Sequence, residues 1–165
     1  MPAFIPPQLC KSQDRPPSVS SWLHEIKFDG YRFQMRIEAR KVQLKTRKGL
    51  DWTKRFSAIA KDAQVLPDAI IDGEICALDD SGAPDFAALQ AALSEGRTDD
   101  LVYFAFDLLF ADSEDLRDMR LDERSPGWTL CWPMPSPVHV SALSSISGRE
   151  ETRCFVRPAG CHSKA

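Results

Sequence analysis

A lysine amine attacks phosphorus only when it is unprotonated and an anion is held beside it. The stretch Glu25-Ile26-Lys27-Phe28-Asp29-Gly30-Tyr31-Arg32 supplies residue types for both conditions. Lys27 is the candidate nucleophile, provided that desolvation or neighbouring cations depress its pKa. Side chains alternate along a strand, so Leu23, Glu25 and Lys27 share a face. Asp29-Gly30 reads as a hairpin signal that returns Arg32 close to Lys27, where the two cations meet a phosphate. The plain alternative is an ordinary hairpin with a solvated lysine.

Three further stretches carry chemistry. In Thr46-Arg47-Lys48-Gly49 a glycine after two cations permits a turn whose N–H groups and side chains face one anion. A solvated basic turn is the competing reading. Ala69 to Leu78 is an apolar run interrupted by Asp72 and Glu74, which fall on one strand face with Ile70 and Cys76. Two acids in an apolar strand are costly unless they are paired, exposed or used. Leu101 to Phe110 is the most apolar strand, rich in aromatics, and belongs in the middle of a fold.

The elements that must position these residues follow from periodicity. Residues 1–21 hold five prolines and read as an extended lead-in. Leu23–Phe28, Tyr31–Glu38 and the run of Val42, Leu44 and Thr46 read as a three-stranded antiparallel meander, buried on one face. Phe56, Ile59, Ala60 and Ala63 predict an amphipathic helix over 53–64, capped by Asp51 or Thr53. A second helix ends at Glu95, with Phe86, Leu89 and Leu93 inward and Gly96 as its stop.

Composition limits the class. The chain has 165 residues, 27% of them charged, and a net charge of −3. That is ordinary for a globular protein, and it leaves room for a local basic patch. No apolar run approaches membrane-spanning length and no signal-peptide pattern opens the chain, so the expectation is cytoplasmic residence without a membrane partner. The five cysteines lack Cys-x-x-Cys spacing and read as free thiols. Cys154, Cys161 and His162 lack the spacing of a metal site, and no metal ligands are assigned.

The Lys-x-Asp-Gly-x-Arg pattern resembles motif I of the covalent nucleotidyltransferases: ATP-dependent DNA ligases, RNA ligases and mRNA capping enzymes. The wording from His24 to Arg32 looks most like the ligase domain of the bacterial ligase D type, which acts in non-homologous end joining and DNA repair. Arg47 matches motif Ia, Glu74 matches motif III, and Phe106 in Phe-Asp-Leu-Leu matches motif IIIa. These occur in the family's order over about Phe4 to Arg124. The resemblance implies an α+β fold: a partial nucleotidyltransferase (ATP-grasp-like DNA ligase adenylation) domain over 22–124, with antiparallel sheets and flanking helices.

It further implies that Lys27 is the nucleophile and that Glu25, Ile26, Arg32, Arg47, Glu74 and Phe106 contact the nucleotide. Phe106 would stack on adenine. ATP with Mg2+ or Mn2+ is the implied cofactor, and nicked or broken double-stranded DNA the implied partner, beside end-joining proteins. The wording around Phe28–Arg32 and Phe104–Leu109 favours a DNA ligase over an RNA ligase or capping enzyme.

After Arg124 the composition shifts. Residues 125–165 hold three of the five cysteines and five of the twelve prolines, but only two acids. They read as an aberrant, disordered tail, out of frame or otherwise altered, with a partner-binding tail as the alternative. No Glu-Gly motif IV or lysine-bearing motif V is recognisable there. The expectation is therefore a truncated ligase, weak or inactive alone, or else a non-catalytic remnant that at most binds nucleotide or a partner.

Overall fold

The computed structural model describes residues 1–8 and 28–119, and the backbone of 138–140. Strands β1 (Tyr31–Glu38) and β2 (Lys41–Thr46) are followed by helix α1 (Ser57–Asp62), strand β3 (Ala69–Cys76), helix α2 (Phe86–Glu95), and strands β4 (Val102–Ala111) and β5 (Glu114–Asp115). Short 3-10 turns, Thr53–Phe56 and Ala63–Val65, flank α1. The strands form one sheet in the order β2-β1-β3-β4-β5, antiparallel at each step. A three-residue strand β6 (Val138–Val140) lies parallel to Tyr103–Ala105 of β4. Otherwise residues 125–165 lie outside the described residues, so the expected disordered tail does too.

Alternation on β1 creates the two faces. Phe33, Met35 and Ile37 are buried with Ile71, Ile75, Tyr103, Phe56, Ile59 and Leu89 in the main core, under the two helices. Arg32, Gln34 and Arg36 point to the opposite face. There residues 1–8 lie as an extended strap. Ile5 N–H donates to Gln34 Oε1 (3.1 Å) and Gln34 Nε2 donates back to the Ile5 carbonyl (2.7 Å). Arg36 Nε donates to the Pro2 carbonyl (2.9 Å) and Lys45 Nζ to that of Ala3 (2.7 Å). Among the described residues no helix is long and apolar enough to cross a membrane.

Two expectations about local structure are corrected. The first is the meander. Over Phe33–Ile37 both edges of β1 are taken, by β2 on one side and β3 on the other. β3, buried on both faces, takes the central place beside β1; the expected strand over Leu23–Phe28 lies outside the described residues except for Phe28. Gly30 also lacks the left-handed φ of an Asp-Gly hairpin turn. It is small for another reason: a Cβ there would lie 2.3 Å from the Ile75 carbonyl oxygen.

The second is the helix over 53–64, which breaks into two 3-10 turns around the six-residue α1. Thr98 Oγ1 donates to the Arg55 carbonyl (2.6 Å), and Thr53 Oγ1 accepts from Leu44 N–H (2.8 Å). The first occupies a backbone carbonyl of the opening turn, in competition with its own helical bonds, and the second ties the Thr53 side chain to β2. The inward residues Phe56, Ile59, Ala60 and Ala63 are buried as the periodicity predicts. Helix α2 matches its expected frame, with Asp85 capping Ala88 N–H (2.9 Å) and Gly96 at φ 70° closing it.

Candidate functional site

The polar face of the sheet gathers its functional side chains by register. Arg32 on β1 faces Glu74 on β3, which faces Phe104 on β4. Gln34 faces Asp72 in the same way. Cross-strand partners share a face, so Arg32, Asp72 and Glu74 stand together on the side away from the main core.

Arg32 and Asp72 form a two-pronged ion pair, Nε to Oδ1 at 3.1 Å and Nη2 to Oδ2 at 2.6 Å. The Asp72 side chain is 6% exposed and that of Arg32 30%. The acid is therefore the buried anchor, and the guanidinium is presented outward. Arg32 Nη1 also donates to the Gln8 carbonyl (3.1 Å), tying the strap to the same point. Glu74 Oε1 accepts the Gly30 N–H at 2.9 Å, which fixes the chain as it enters β1.

β4 supplies the aromatic surface, and a bulge sets its direction. The pairing steps from Gly73↔Ala105 to Asp72↔Asp107, leaving Phe106 as the extra residue. A bulge re-aims a side chain out of the regular alternation. Phe106 is half-buried, and the Arg32 guanidinium carbon lies 5.3 Å from its ring centre. Phe104 instead stacks on Phe28, ring centres 4.4 Å apart and planes within 12°.

The glycine between the two acids serves the opposite face. A Cβ on Gly73 would sit 2.5 Å from the Tyr103 ring, which crosses beneath β3 in the space left open. The Tyr103 hydroxyl reaches the carbonyls of Phe33 (3.0 Å) and Ile71 (3.1 Å). Burial, and next the charge of Asp72, keeps that hydroxyl protonated well above its usual range. Burial likewise pushes the Cys76 thiol up to about 12, with Glu74 and Asp29 adding to the shift. Cys76 is therefore a packing residue here, not a nucleophile.

Of the residues expected from sequence, Arg32, Glu74 and Phe106 come together. Arg47 sits in an exposed turn one position past Thr46, the residue that faces Phe33 across β1 and β2. Gly49 closes that turn at φ 79°, as its position predicts. Glu25, Ile26 and Lys27 lie outside the described residues, as do Cys154, Cys161 and His162. Sequence reasoning did not assign Asp72 as the partner of Arg32, although Asp72 shares a strand face with Glu74. The Phe28–Phe104 stack and the Gln34 clamp had no local signal, because their partners are distant in the chain. Among the described residues no group of three His, Cys, Asp or Glu could hold a metal ion.

Comparison with known proteins gives consistent relatives. The family model for the ATP dependent DNA ligase domain matches residues 7–158. The multifunctional non-homologous end joining protein LigD of Pseudomonas aeruginosa is 44% identical over 126 residues, covering 75% of this chain and 15% of that protein. The corresponding LigD repair protein of Mycobacterium tuberculosis is 36% identical over 108 residues, covering 64% and 14%. The solved structure of mycobacterial DNA ligase D complexed with ATP and MES superposes with a TM-score of 0.62 at 30% identity, over 70% of this chain and 38% of that one. The chain thus spans about one seventh of the length of these two curated relatives.

Proposed function

Since the chain belongs to the ATP-dependent DNA ligase domain family, we propose that its polar sheet face binds ATP and passes AMP through Lys27 toward a nick in double-stranded DNA. The observation that carries this reading is the meeting of Arg32, Glu74 and Phe106 on one face, beside the chain that leads from Phe28 back to Lys27. A half-buried aromatic ring, an oriented guanidinium and a carboxylate fit a base, a phosphate and a ribose respectively.

The reaction this reading implies is a covalent transfer of AMP. The Lys27 amine attacks the α-phosphorus of ATP and loses its proton, and the bond to pyrophosphate breaks, leaving AMP on nitrogen. A 5′-phosphate oxygen at the nick then displaces the lysine, and the 3′-hydroxyl displaces AMP to close the strand. Arg32, braced by Asp72, holds the phosphate chain. Phe106 stacks on adenine, Glu74 faces the ribose, Arg47 meets phosphate, and Glu25 and Ile26 contact the base. Catalysis of this type depends on charge stabilisation at phosphorus. Mg2+ or Mn2+ is the divalent ion this reading pairs with ATP, where its charge would stabilise the phosphates.

Nicked or broken duplex DNA as substrate, action beside end-joining proteins and residence in a bacterial cytoplasm belong to the same reading; the relatives' names support the end-joining part. Incubation with radiolabelled ATP and Mg2+ should place label on the protein, and a chase with nicked duplex should move it to DNA. Label that stays on the protein would contradict DNA as the acceptor. Absence of label would leave a non-catalytic remnant that at most binds nucleotide or a partner.

A further inference from the structure

Charge is unevenly placed along this acidic chain. Residues 40–55 hold seven Lys and Arg and one acid, a net of +6, against 14 cations and 23 acids elsewhere. Structurally this stretch is the tip of the β1–β2 hairpin, the outer strand β2 and the corner that follows it. The acid, Asp51, is engaged by Thr53, accepting from its N–H (2.9 Å) and its hydroxyl (2.5 Å).

An open cavity of about 760 Å³ lies at this corner, lined by Lys41, Gln43, Trp52, Lys54 and Arg55 among others. Its cations are partly organised. Trp52 packs against Phe33 in the core (5.9 Å) and carries the Arg55 guanidinium 4.5 Å from its ring centre. A cation held in place loses less freedom on meeting an anion. The β2 edge is covered at Leu44 and Thr46, where Trp52 N–H donates to the Leu44 carbonyl and Thr46 N–H to that of Leu50, both at 2.9 Å. The cover stops there, and the cavity begins beside Val42. At the hairpin tip Arg40 adopts φ 64°, a left-handed conformation that glycine usually takes in such turns. A strained arginine next to Lys41 makes the basic corner wider than the cavity.

We propose that the β2 edge and the Trp52–Arg55 corner form a docking track for the phosphate backbone of DNA flanking the nick. This rests on the ligase reading above and adds a surface to it. The uncovered part of β2, Lys41 to Gln43, spans about 10 Å. That is the axial rise of about three phosphates on one strand. Lysines lining the edge also disfavour addition of a neutral peptide strand.

The test is binding of a fluorescein-labelled nicked duplex by the full chain, followed by anisotropy over a range of salt. The variant Lys41→Ala/Lys54→Ala/Arg55→Ala should bind roughly tenfold or more weakly. Its plot of log affinity against log salt should flatten by about 2 to 3, because each phosphate neutralised contributes about 0.9. Arg97→Ala/Arg117→Ala, elsewhere on the surface, should leave both unchanged. An unaltered slope in the triple variant overturns the track, as does an equal loss in the control. Polyglutamate competing as well as DNA would also overturn it, since the partner would then be an acidic protein segment. Adenylation is measured separately. Label from ATP on a chain whose triple variant binds DNA normally would sink the track alone. Variant-sensitive DNA binding without label would sink the enzyme reading alone.

Discussion

The guanidinium of Arg32 donates to both oxygens of Asp72 and to the Gln8 carbonyl, so a phosphate reaching this face meets a cation already oriented. Removing the buried acid leaves that cation without its anchor. Asp72→Ala should lower unfolding free energy by about 1–3 kcal/mol, the smaller end reflecting the partly exposed arginine. Asp72→Asn should lose less, and urea unfolding of both variants checks the order. Cys76 sets a pH dependence on the same face. Its folded-state pKa, about 12, is above the unfolded value of about 8.5. The protonated thiol's contribution is therefore complete below about pH 8.5 and is lost as pH rises toward the folded value. Urea midpoints should fall more steeply between about pH 9 and 12 in the native sequence than in Cys76→Ala. Equal slopes would remove this residue from the account.

Among the elements, the β1–β2 hairpin and the Asp72-Gly73-Glu74 segment of β3 carry the most specific local constraints. Ala39 and Arg40 take φ 48° and 64°, the signs a type I′ turn demands, without the usual Asn-Gly. Ala39→Asn keeps the N–H bond to Asp68 (2.8 Å) and suits the left-handed region better. It should raise stability by about 0.5–1 kcal/mol, read from the thermal midpoint. Gly73→Ala should cost about 2 kcal/mol or more, because its methyl meets the Tyr103 ring and the Phe104 carbonyl, each at 2.5 Å. Loss of soluble folded protein would agree with that, whereas an unchanged melting curve would not. The same segment shows what local pattern can and cannot give. Alternation places both acids on one face of β3, yet the partner that makes Asp72 tolerable lies 40 residues away on β1. The helix over 53–64 has the right inward residues but not the right continuity, since Thr98 bonds to the Arg55 carbonyl from a distant loop.

At the scale of the whole molecule, strand positions were legible from sequence and strand order was not. Alternation locates β1, β2, β3 and β4 within a residue or two, because each buries a periodic face. Which strand lies beside β1 depends on competition between distant segments, and β3 takes the edge where Leu23–Phe28 was expected. The candidate site followed the same division. Arg32, Glu74 and Phe106 were found by their motifs, while the bulge that turns Phe106 toward Arg32 could not be seen in a single strand's sequence. The charge asymmetry was visible as the basic turn around Arg47, but its convergence with Lys54, Arg55 and Trp52 at one corner required the fold.

The central claim is that this face serves a covalent transfer to one particular lysine. Incubating the chain with ATP and Mg2+, digesting it and mapping the modified peptide by mass spectrometry tests it most directly. The account predicts AMP on the peptide containing Lys27 and no adduct in Lys27→Ala. An adduct on another lysine, or one that survives Lys27→Ala, would contradict it.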